Sequence, residues 1–391
     1  HRLRSSVPPP GIQHENTMSW HHYLALFFQG FLFSVILTPV MRHLAPKWGF
    51  LDQPGERKVH IQPKPLLGGA AIFVSYLLLI GIDLAVLRWV FVQDLHGTGW
   101  LANQLNLLAW NAAGVTRVSH QLAGLLAGGA VLFIVGLVDD RIGLKPSAKL
   151  AAQTLAAVIL YLANVQIALF IYHPAINFLI TLSWIVLITN AFNLLDNMDG
   201  LSGGVAMICL ILIGISTQLV NKQIFMTSAS FALAGCIAGF LRYNLNPSTI
   251  FMGDAGSLFV GFTVAALTIQ ATYYQYGTET ATAWAVVMPF VILAVPIFDT
   301  LSVILIRLRN HKPIFVGDKN HFSHRLVALG MSQRRAVFFI HLITLCEGSA
   351  ALILAIITES FGAYIVLTQT VLFFIIIAML ERVRNHSQPS S

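Results

Sequence analysis

The stretch FLITLSWIVLITNAFNLLDNMDGLSGGVAMICLILIGISTQLV, residues 178–220, consists of two apolar runs separated by a polar segment. The runs belong to the apolar segments 175–193 and 200–220. Segments of about 20 residues are long enough for a helix to cross a hydrocarbon core of about 30 Å. The polar segment between them, NAFNLLDNMDG, carries two aspartates and three asparagines. We therefore predict two membrane-spanning helices with a polar connection at one membrane surface.

The composition extends this prediction to the whole chain. Of 391 residues, 56% are hydrophobic and 10% are charged, whereas soluble domains carry about 25% charged residues. Eleven apolar runs are of spanning length, roughly 20–42, 67–91, 119–138, 148–166, 175–193, 200–220, 222–241, 254–274, 282–307, 334–357 and 360–380. We predict an all-α polytopic integral membrane protein with about 11 transmembrane helices in a lipid bilayer.

Basic residues predict the orientation of these helices. They cluster after the odd-numbered runs, whereas residues 165–175, 271–283 and 358–362 contain no Lys or Arg. Because positive charge marks cytoplasmic loops, we predict an N-terminus outside and a C-terminus in the cytoplasm. The net charge of +7 is explained by these loops, so no nucleic-acid partner is predicted. We expect a disordered tail (1–17), one multi-span domain (18–384) and a C-terminal tail (385–391).

Most aspartates fall at the predicted cytoplasmic ends of the runs. Ionisable residues in mid-span are few, the main examples being Asp83, His341 and Glu347. A secondary transporter is expected to place ionisable groups near the middle of the membrane. The distribution therefore favours chemistry at the cytoplasmic membrane surface, with a transporter as the alternative.

The third run ends in two adjacent aspartates, Asp139 and Asp140, which are followed by Lys145 and Lys149. Paired carboxylates beside lysines can hold a divalent cation and a phosphate, or one carboxylate can act as a base. A charged anchor at the membrane interface is the structural alternative.

Four polar residues in the segment 190–200 recur every three positions: Asn190, Asn193, Asp196 and Asp199. On a helix, this spacing predicts one shared face. Two carboxylates and two amides on one face suit a hydrated metal ion or a nucleotide. A polar helix end with an N-cap for the next helix is the alternative.

Asp254 stands between Gly253 and Gly256, just before the eighth run. The glycines resemble a turn whose N–H groups face an anion at the positive end of a helix. A carboxylate here would suit Mg²⁺, which retains water and substrate phosphates as its other ligands. Capping of the helix by Asp254 itself is the alternative.

Two basic segments are candidates for phosphate binding. His321, His324 and Arg325 lie together in the last basic segment, in PIFVGDKNHFSHRL. A transition-metal site there is disfavoured because no Cys accompanies the histidines, and phosphate binding by His and Arg fits better. Arg57, Lys58 and His60 lie in a turn-rich segment and could meet a phosphate or a lipid head group, although plain positive-inside topology explains them equally well.

In this order, these motifs resemble those of the polyprenyl-phosphate N-acetylhexosamine-1-phosphate transferase family, over residues 40–330. The family pattern D-x-P-x-x-R-K-x-H, followed by P and G-G, is similar to residues 52–69. The paired aspartates resemble Asp139 and Asp140. The signature N-A-x-N-x-x-D-x-x-D-G-L matches residues 190–201, and F-M-G-D-x-G-S matches residues 251–257.

The resemblance implies an enzyme of the bacterial inner membrane with its active site facing the cytoplasm. Such an enzyme transfers N-acetylhexosamine-1-phosphate from a UDP-sugar to polyprenyl phosphate, and for this chain we expect the sugar to be N-acetylglucosamine. It releases UMP in the first membrane step of a cell-envelope polysaccharide. The resemblance implies a Mg²⁺ requirement, with Mn²⁺ as a substitute, and is compatible with a homodimer.

Residue roles follow from the same resemblance. Asp254 would bind Mg²⁺ with Asp196 close by, and Asp139 and Asp140 would engage the lipid phosphate, Asp139 as its base. Asn193 and Asp199 would shape the nucleotide pocket. The remaining predicted substrate contacts are Lys149, Arg57, Lys58, His60, His321, His324 and Arg325.

The chain departs from the family pattern in its last basic segment. Relatives that transfer N-acetylglucosamine-1-phosphate carry H-x-H-H there, and the muramyl-pentapeptide branch carries three consecutive histidines, whereas this chain reads HFSHR with Ser323 at the middle position. We favour the N-acetylglucosamine branch, with the muramyl-pentapeptide phosphotransferase as the alternative. Direct attack by the lipid phosphate and a two-step route through an aspartyl-phosphate both remain open.

Overall fold

The structure is a computed structural model that describes residues 20–53, 62–93, 100–167, 173–271, 286–313, 320–356 and 360–385. Helices account for nearly all of this part of the chain. They are α1 (Trp20–Lys47), α2 (Gly68–Gln93), α3 (Trp100–Ile142), α4 (Pro146–Leu162), α5 (Pro174–Leu195), α6 (Leu201–Asn221), α7 (Ile224–Asn244), α8 (Gly253–Gln270), α9 (Met288–Ile292), α10 (Ala294–Arg309), α11 (Phe322–Ala328), α12 (Gln333–Ile356) and α13 (Ser360–Asn385). Two short strands, β1 (Leu51–Asp52) and β2 (Lys64–Pro65), form an antiparallel ribbon.

Within the described residues, eight helices are long and apolar enough to cross a membrane. They are α1, α2, the part of α3 from Val118 to Ile142, α5, α6, α7, α12 and α13. The other three predicted runs also form helices: α4 has 17 residues, α8 has 18, and the ninth run divides into α9 and α10. The prediction of an all-α polytopic membrane protein is confirmed. Residues 100–117, which precede the third apolar run, extend α3 towards its N-terminus.

Helix α8 lies at the centre of the bundle. It packs against α2, α3, α5, α6 and α7, and it is buried along nearly its whole length. Two glycines on neighbouring helices allow close backbone contact with its first turn. A Cβ atom at Gly69 would lie 2.2 Å from the backbone nitrogen of Gly256, and one at Gly136 would lie 2.4 Å from Cα of Ala255.

The segment before α8 is also held by the segment before α2. The N–H of Phe251 donates to the carbonyl of Pro65 at 2.8 Å, and the N–H of Gly69 donates to the carbonyl of Met252 at 2.8 Å. These main-chain bonds bring the ribbon of β1 and β2 beside the start of α8. The position of the first turn of α8 is therefore set by α2, α3 and the ribbon together.

The polar ends of successive helices meet on one side of the bundle. Side chains from the end of α3, the start of α4 and the end of α5 all contact the first turn of α8. The N–H of Gly200, just before α6, donates to Asn244 Oδ1 at the end of α7 at 3.0 Å. This up-and-down arrangement gathers the predicted site residues at one end of the helices.

Candidate active site

Lys149 joins two carboxylates that belong to different helices. Its Nζ donates to Asp254 Oδ2 at 2.6 Å and also pairs with Oδ2 of Asp139. The other oxygen of Asp139 accepts a hydrogen bond from the N–H of Leu144 at 2.6 Å, and Asp139 is only 8% exposed. One ammonium group thus compensates charge on both α3 and α8.

Asp140 has a different set of contacts from its neighbour Asp139. Its Oδ1 accepts from the N–H of Asp254 at 2.7 Å, and its Oδ2 accepts from the N–H of Ala255 at 3.1 Å. Asp140 of α3 therefore caps the N-terminus of α8, where free N–H groups favour an anion. The N–H groups of the glycine turn thus face an anion, and this anion is a side chain of the protein. This contact also rules out the alternative in which Asp254 caps its own helix.

Asn193, in the last turn of α5, orients Asp254 from the opposite side. Its Nδ2 donates to Asp254 Oδ1 at 2.7 Å and to Ser257 Oγ at 2.9 Å. One turn earlier, Asn190 forms a reciprocal amide pair with Gln153 of α4, at 2.8 and 3.2 Å. These two asparagines share a helix, as predicted, and they fix α5 against α4 and α8.

The prediction that Asp196 and Asp199 continue the same helical face is wrong. Helix α5 ends at Leu195, and Asp196 has φ −78° and ψ 49°, outside the helical region. Asp199 follows in a turn that closes at Gly200, whose φ is +75°. Asn, Asp and Gly favour turns over helix interiors, so the helix stops before the second half of the motif.

Asp199 is held firmly by the segment before α8. Its Oδ2 accepts from Asn246 Nδ2 and from the N–H of Ser248, both at 3.0 Å, and its Oδ1 accepts from Ser248 Oγ at 2.9 Å. Lys64 Nζ donates in turn to the carbonyl of Ser248 at 2.7 Å. Asp199 therefore joins the turn after α5 to the residues 246–248 and to β2.

Asp196 differs from the other aspartates of the site because its carboxylate accepts no hydrogen bond from the described part of the chain. Burial, together with the negative charges of Asp254 and Asp199, raises the pKa of Asp196 to about 8. A carboxylate that is desolvated and faces other carboxylates is stabilised when a cation arrives. This is the electrostatic environment expected of a cation ligand.

The donor set fits Mg²⁺. Asp196, Asp254 and the Oδ1 atom of Asn193 offer hard oxygen ligands, and Mg²⁺ commonly takes one or two carboxylates with water and substrate phosphates completing its octahedron. Among the described residues, no group of three His, Cys, Asp or Glu side chains forms a protein-only metal site. Such a set disfavours a structural zinc site, whereas Mn²⁺ would accept the same oxygen donors.

The last basic segment begins the short helix α11. His321 is 4% exposed, and its Nδ1 lies 2.9 Å from Asp299 Oδ2. Arg325 donates from Nη1 to the carbonyl of Asn320 at 2.5 Å and from Nη2 to Ser302 Oγ at 2.9 Å. The rings of His321 and His324 have centroids 6.5 Å apart.

Ser323 connects α11 to the acidic turn. Its Oγ donates to Asn197 Oδ1 at 2.6 Å, and Asn197 lies between Asp196 and Asp199 in the sequence. The residue that departs from the family pattern thus contacts the segment that carries the site acids. His321, Ser323 and Arg325 are brought to the same side of the bundle as the aspartates.

Three predicted residues are not described by the structure, and some contacts were not predicted. Arg57, Lys58 and His60 fall outside the described residues. Sequence reasoning missed the partners that hold the site together, namely Lys64, Ser248, Asn246, Asn197 and Asp299. Asp299 had one available signal, because it is an aspartate near the cytoplasmic end of a predicted span.

Comparisons with known proteins find a matching family model and similar relatives. The chain matches the family model described as Glycosyl transferase family 4 over residues 122–272, a range that contains Asp139, Asp196 and Asp254. It is 32% identical over 365 residues to a probable undecaprenyl-phosphate N-acetylglucosaminyl 1-phosphate transferase of Bacillus subtilis, covering 90% of this chain and 89% of the relative.

Two further relatives carry similar names. The chain is 33% identical to a decaprenyl-phosphate N-acetylglucosaminephosphotransferase of Mycolicibacterium smegmatis, over 78% of this chain and 75% of the relative. It is 29% identical to an undecaprenyl-phosphate alpha-N-acetylglucosaminyl 1-phosphate transferase of Yersinia pestis, over 83% of this chain and 81% of the relative. The similarity therefore extends over most of the chain.

Proposed function

Because this chain belongs to the polyprenyl-phosphate N-acetylglucosamine-1-phosphate transferase family, we propose that it transfers N-acetylglucosamine-1-phosphate from a UDP-sugar to polyprenyl phosphate. The products are UMP and a polyprenyl-diphosphate sugar. The relatives are named as transferases, and they give no support to the transporter alternative.

The observation that carries this proposal is the convergence of α3, α4 and α5 on Asp254 of α8. Asp140 caps its helix, Lys149 and Asn193 bind its two carboxylate oxygens, and Asp196 lies within electrostatic range. An acidic site with one lysine suits a reaction in which two phosphorylated substrates must meet. Their mutual repulsion has to be offset by positive charge.

We assign the acceptor phosphate to Asp139 and Lys149. The ammonium group of Lys149 already lies between two carboxylates, and it can exchange one of them for a phosphate oxygen. Asp139, with one oxygen fixed by the N–H of Leu144, can then take a remaining proton from the lipid phosphate. Both carboxylate oxygens of Asp140 accept hydrogen bonds from N–H groups of α8, so we give Asp140 a positioning role in place of the predicted lipid contact.

We assign Mg²⁺ to Asp254 and Asp196. When bound, Mg²⁺ supplies Lewis-acid stabilisation of the negative charge on the diphosphate and the departing UMP. Asn193 keeps the Asp254 carboxylate oriented, and Asp199 fixes the turn on which Asp196 lies. Because both carboxylates sit on backbone that is fixed from several sides, little reorganisation is needed when charge develops.

Direct attack by the acceptor phosphate is the favoured route. A covalent route needs an aspartate that is free to reach the sugar-1-phosphate. Asp139, Asp140 and Asp254 each hold protein partners with both oxygens. Asp196 accepts no hydrogen bond from the described residues, but in this assignment it is a ligand of Mg²⁺. Positioning of the two substrates alone can supply a large share of the acceleration.

We also propose that the site faces the cytoplasm of a bacterial inner membrane. The supporting observation is that basic residues accompany the acidic helix ends on the same side of the bundle. Lys47 ends α1, Arg141 ends α3, Arg242 lies in the last turn of α7, and Arg307 and Arg309 end α10. This is the side on which positive charge is retained and on which UDP-sugars are made.

The test is UMP release by the detergent-solubilised chain supplied with UDP-N-acetylglucosamine, polyprenyl phosphate and Mg²⁺. We expect turnover that stops with EDTA and falls by about 10²–10³-fold in Asp254→Asn and Asp196→Asn, the usual effect of removing one transition-state stabiliser. Asp83→Asn is a matched control, because it makes the same change outside the site. Full turnover in both site variants would overturn the assignment.

A donor panel separates the two branches of the family. UDP-N-acetylglucosamine should be turned over, and UDP-muramyl-pentapeptide should not. Isotope exchange between UMP and UDP-N-acetylglucosamine without polyprenyl phosphate tests whether the transfer is direct or passes through a covalent intermediate. Exchange would require a covalent intermediate, and we expect none.

A further inference from the structure

Asp299 is a buried aspartate of α10 that the proposed function does not yet use. It is 1% exposed, and both of its oxygens are directed to the start of α11. Its Oδ1 accepts from the N–H of Phe322 at 2.5 Å, and its Oδ2 lies 2.9 Å from Nδ1 of His321. A helix cap needs one of these oxygens, so the bond to the imidazole is an additional feature.

This contact fixes the chemistry of the His321 ring. An ionised carboxylate can only accept hydrogen bonds, so Nδ1 of His321 must carry the proton that lies between them. The second ring nitrogen, Nε2, makes no hydrogen bond to the described part of the chain. His321 is more than nine-tenths buried, but Nε2 is not among the fully enclosed unpartnered atoms of the described residues, so this nitrogen is open to a ligand.

The surroundings of α11 indicate which ligand this is. Ser323, two residues after His321, is bonded to Asn197 in the acidic turn. The helix is also attached to α10 through Arg325 and Ser302. Nε2 of His321 is therefore carried by an element that is fixed on one side to Asp299 and on the other to the turn of Asp196 and Asp199.

We propose that Asp299 is a positioning residue that holds His321 with Nδ1 towards itself and Nε2 towards a phosphate oxygen of the nucleotide-sugar diphosphate. The inference rests on the proposed function, because it names a contact for the donor substrate of that reaction. In the imidazolium form Nε2 donates to the phosphate oxygen, and the buried Asp299 carboxylate balances the positive ring.

The experiment is a double-mutant cycle of Asp299→Asn and His321→Ala. Asparagine can still accept from the N–H of Phe322, so the helix cap is retained, but its amide group cannot serve as the anionic partner of the ring. We expect the KM for UDP-N-acetylglucosamine to rise about tenfold in Asp299→Asn, as for a lost charge-assisted hydrogen bond. The KM for polyprenyl phosphate should not change.

The cycle distinguishes positioning from a general structural role. If Asp299 acts through His321, Asp299→Asn has no further effect in the His321→Ala background. Equal effects of Asp299→Asn in both backgrounds, or equal rises in both KM values, would overturn the proposal.

A binding measurement keeps the inference separate from the proposed reaction. Equilibrium binding of UDP with Mg²⁺ should weaken about tenfold in Asp299→Asn and in His321→Ala, without further loss in the double variant. If the wild-type chain gives no UMP release but shows this pattern, the proposed function fails and the positioning role stands. If UMP release is normal and UDP binding is unchanged in the variants, the positioning role fails.

If Asp299→Asn does not fold, ¹⁵N NMR of the histidine-labelled wild-type chain tests the proposal instead. The His321 signals are assigned by comparison with the His321→Ala spectrum. We expect a protonated Nδ1 and an Nε2 signal that shifts when UDP and Mg²⁺ are added. A ring protonated only at Nε2, or an Nε2 signal that does not respond to UDP, would overturn the proposal.

Discussion

The backbone N–H of Asp254 donates a hydrogen bond to Oδ1 of Asp140 at 2.7 Å, and this bond joins the end of α3 to the start of α8. The neighbouring N–H of Ala255 donates to the second oxygen of Asp140. The backbone of a candidate metal ligand thus contacts the carboxylate of one of the paired aspartates, and the two carboxylates do not contact each other directly. Two adjacent carboxylates therefore perform different tasks, since Asp139 pairs with Lys149 while Asp140 fixes α8.

We predict that Asp139 and Asp140 variants have different phenotypes. Asp140→Ala removes the cap of α8, a loss of about 0.5–2 kcal/mol of stability for a helix cap, and should lower the thermal midpoint in detergent. It should also weaken Mg²⁺ binding, because Asp254 is displaced. Asp139→Asn should reduce turnover while the cap and the midpoint are largely retained. Thermal unfolding and Mg²⁺ titration of both variants are the measurements.

The conservative variant Asp140→Asn serves as a control for this prediction. Its amide oxygen can still accept from one N–H, so its stability and Mg²⁺ affinity should lie between those of Asp140→Ala and the unaltered chain. An Asp140→Asn variant with unchanged stability and Mg²⁺ affinity but no turnover would instead indicate that Asp140 takes part in the chemistry.

Asp196 and Asp199 provide a second contrast, this time in stability without metal. Asp199 accepts three hydrogen bonds from Asn246 and Ser248, so Asp199→Ala should lower the thermal midpoint. Asp196 accepts none from the described residues and is repelled by Asp254 and Asp199. Asp196→Asn should therefore raise the midpoint in EDTA although it lowers turnover about 10²–10³-fold, a known exchange of stability for function.

The difference in stability between Asp196→Asn and the unaltered chain should change with pH in a definite direction. The pKa of Asp196 rises from 3.8 to about 8 on folding, so between these values the folded chain holds a proton that the unfolded chain lacks. The stability of the metal-free chain then falls as pH rises. The rise in thermal midpoint caused by Asp196→Asn should be small at pH 5 and should grow towards pH 8. A midpoint difference that is constant over this range would contradict the shifted pKa.

The membrane class and the residues that form the site could be predicted from the sequence, for physical reasons. Helices of spanning length are fixed by apolar run length alone, and charges are costly enough in a membrane that grouped acids mark a site. Asp139, Lys149, Asn193 and Asp254 were all predicted, and all four are linked by hydrogen bonds or ion pairs.

The roles of individual residues were harder to predict from the sequence, because they depend on partners that are distant in the chain. Asp140 looks identical to Asp139 in the sequence, and only the approach of α8, 114 positions later, distinguishes them. The spacing predicts one helical face for Asn190, Asn193, Asp196 and Asp199. The face does not reach the two aspartates, because the turn formed by Asn197 and Gly200 ends the helix. The contact between Asp299 and His321 joins two segments with no shared motif.

The close approach of α2 to α8 yields a final prediction, on glycine. Gly69 has no room for a side chain, because a Cβ atom there would lie 2.2 Å from the backbone nitrogen of Gly256 and 2.4 Å from its Cα. The obstacle is backbone that cannot rotate away, so Gly69→Ala must push α2 from α8. The first turn of α8 carries Asp254, and we therefore expect both a lower thermal midpoint and a loss of Mg²⁺-dependent turnover.

Gly81, in the same helix, provides the matched control. A Cβ atom there meets no heavy atom within 4 Å, and alanine favours a helix over glycine by about 1 kcal/mol. Gly81→Ala should therefore keep full turnover and a midpoint equal to or above that of the unaltered chain. Because both substitutions add one methyl group to α2, a difference between them reports the packing against α8. Equal thermal midpoints and equal turnover in the two variants would show that α2 does not set the position of Asp254.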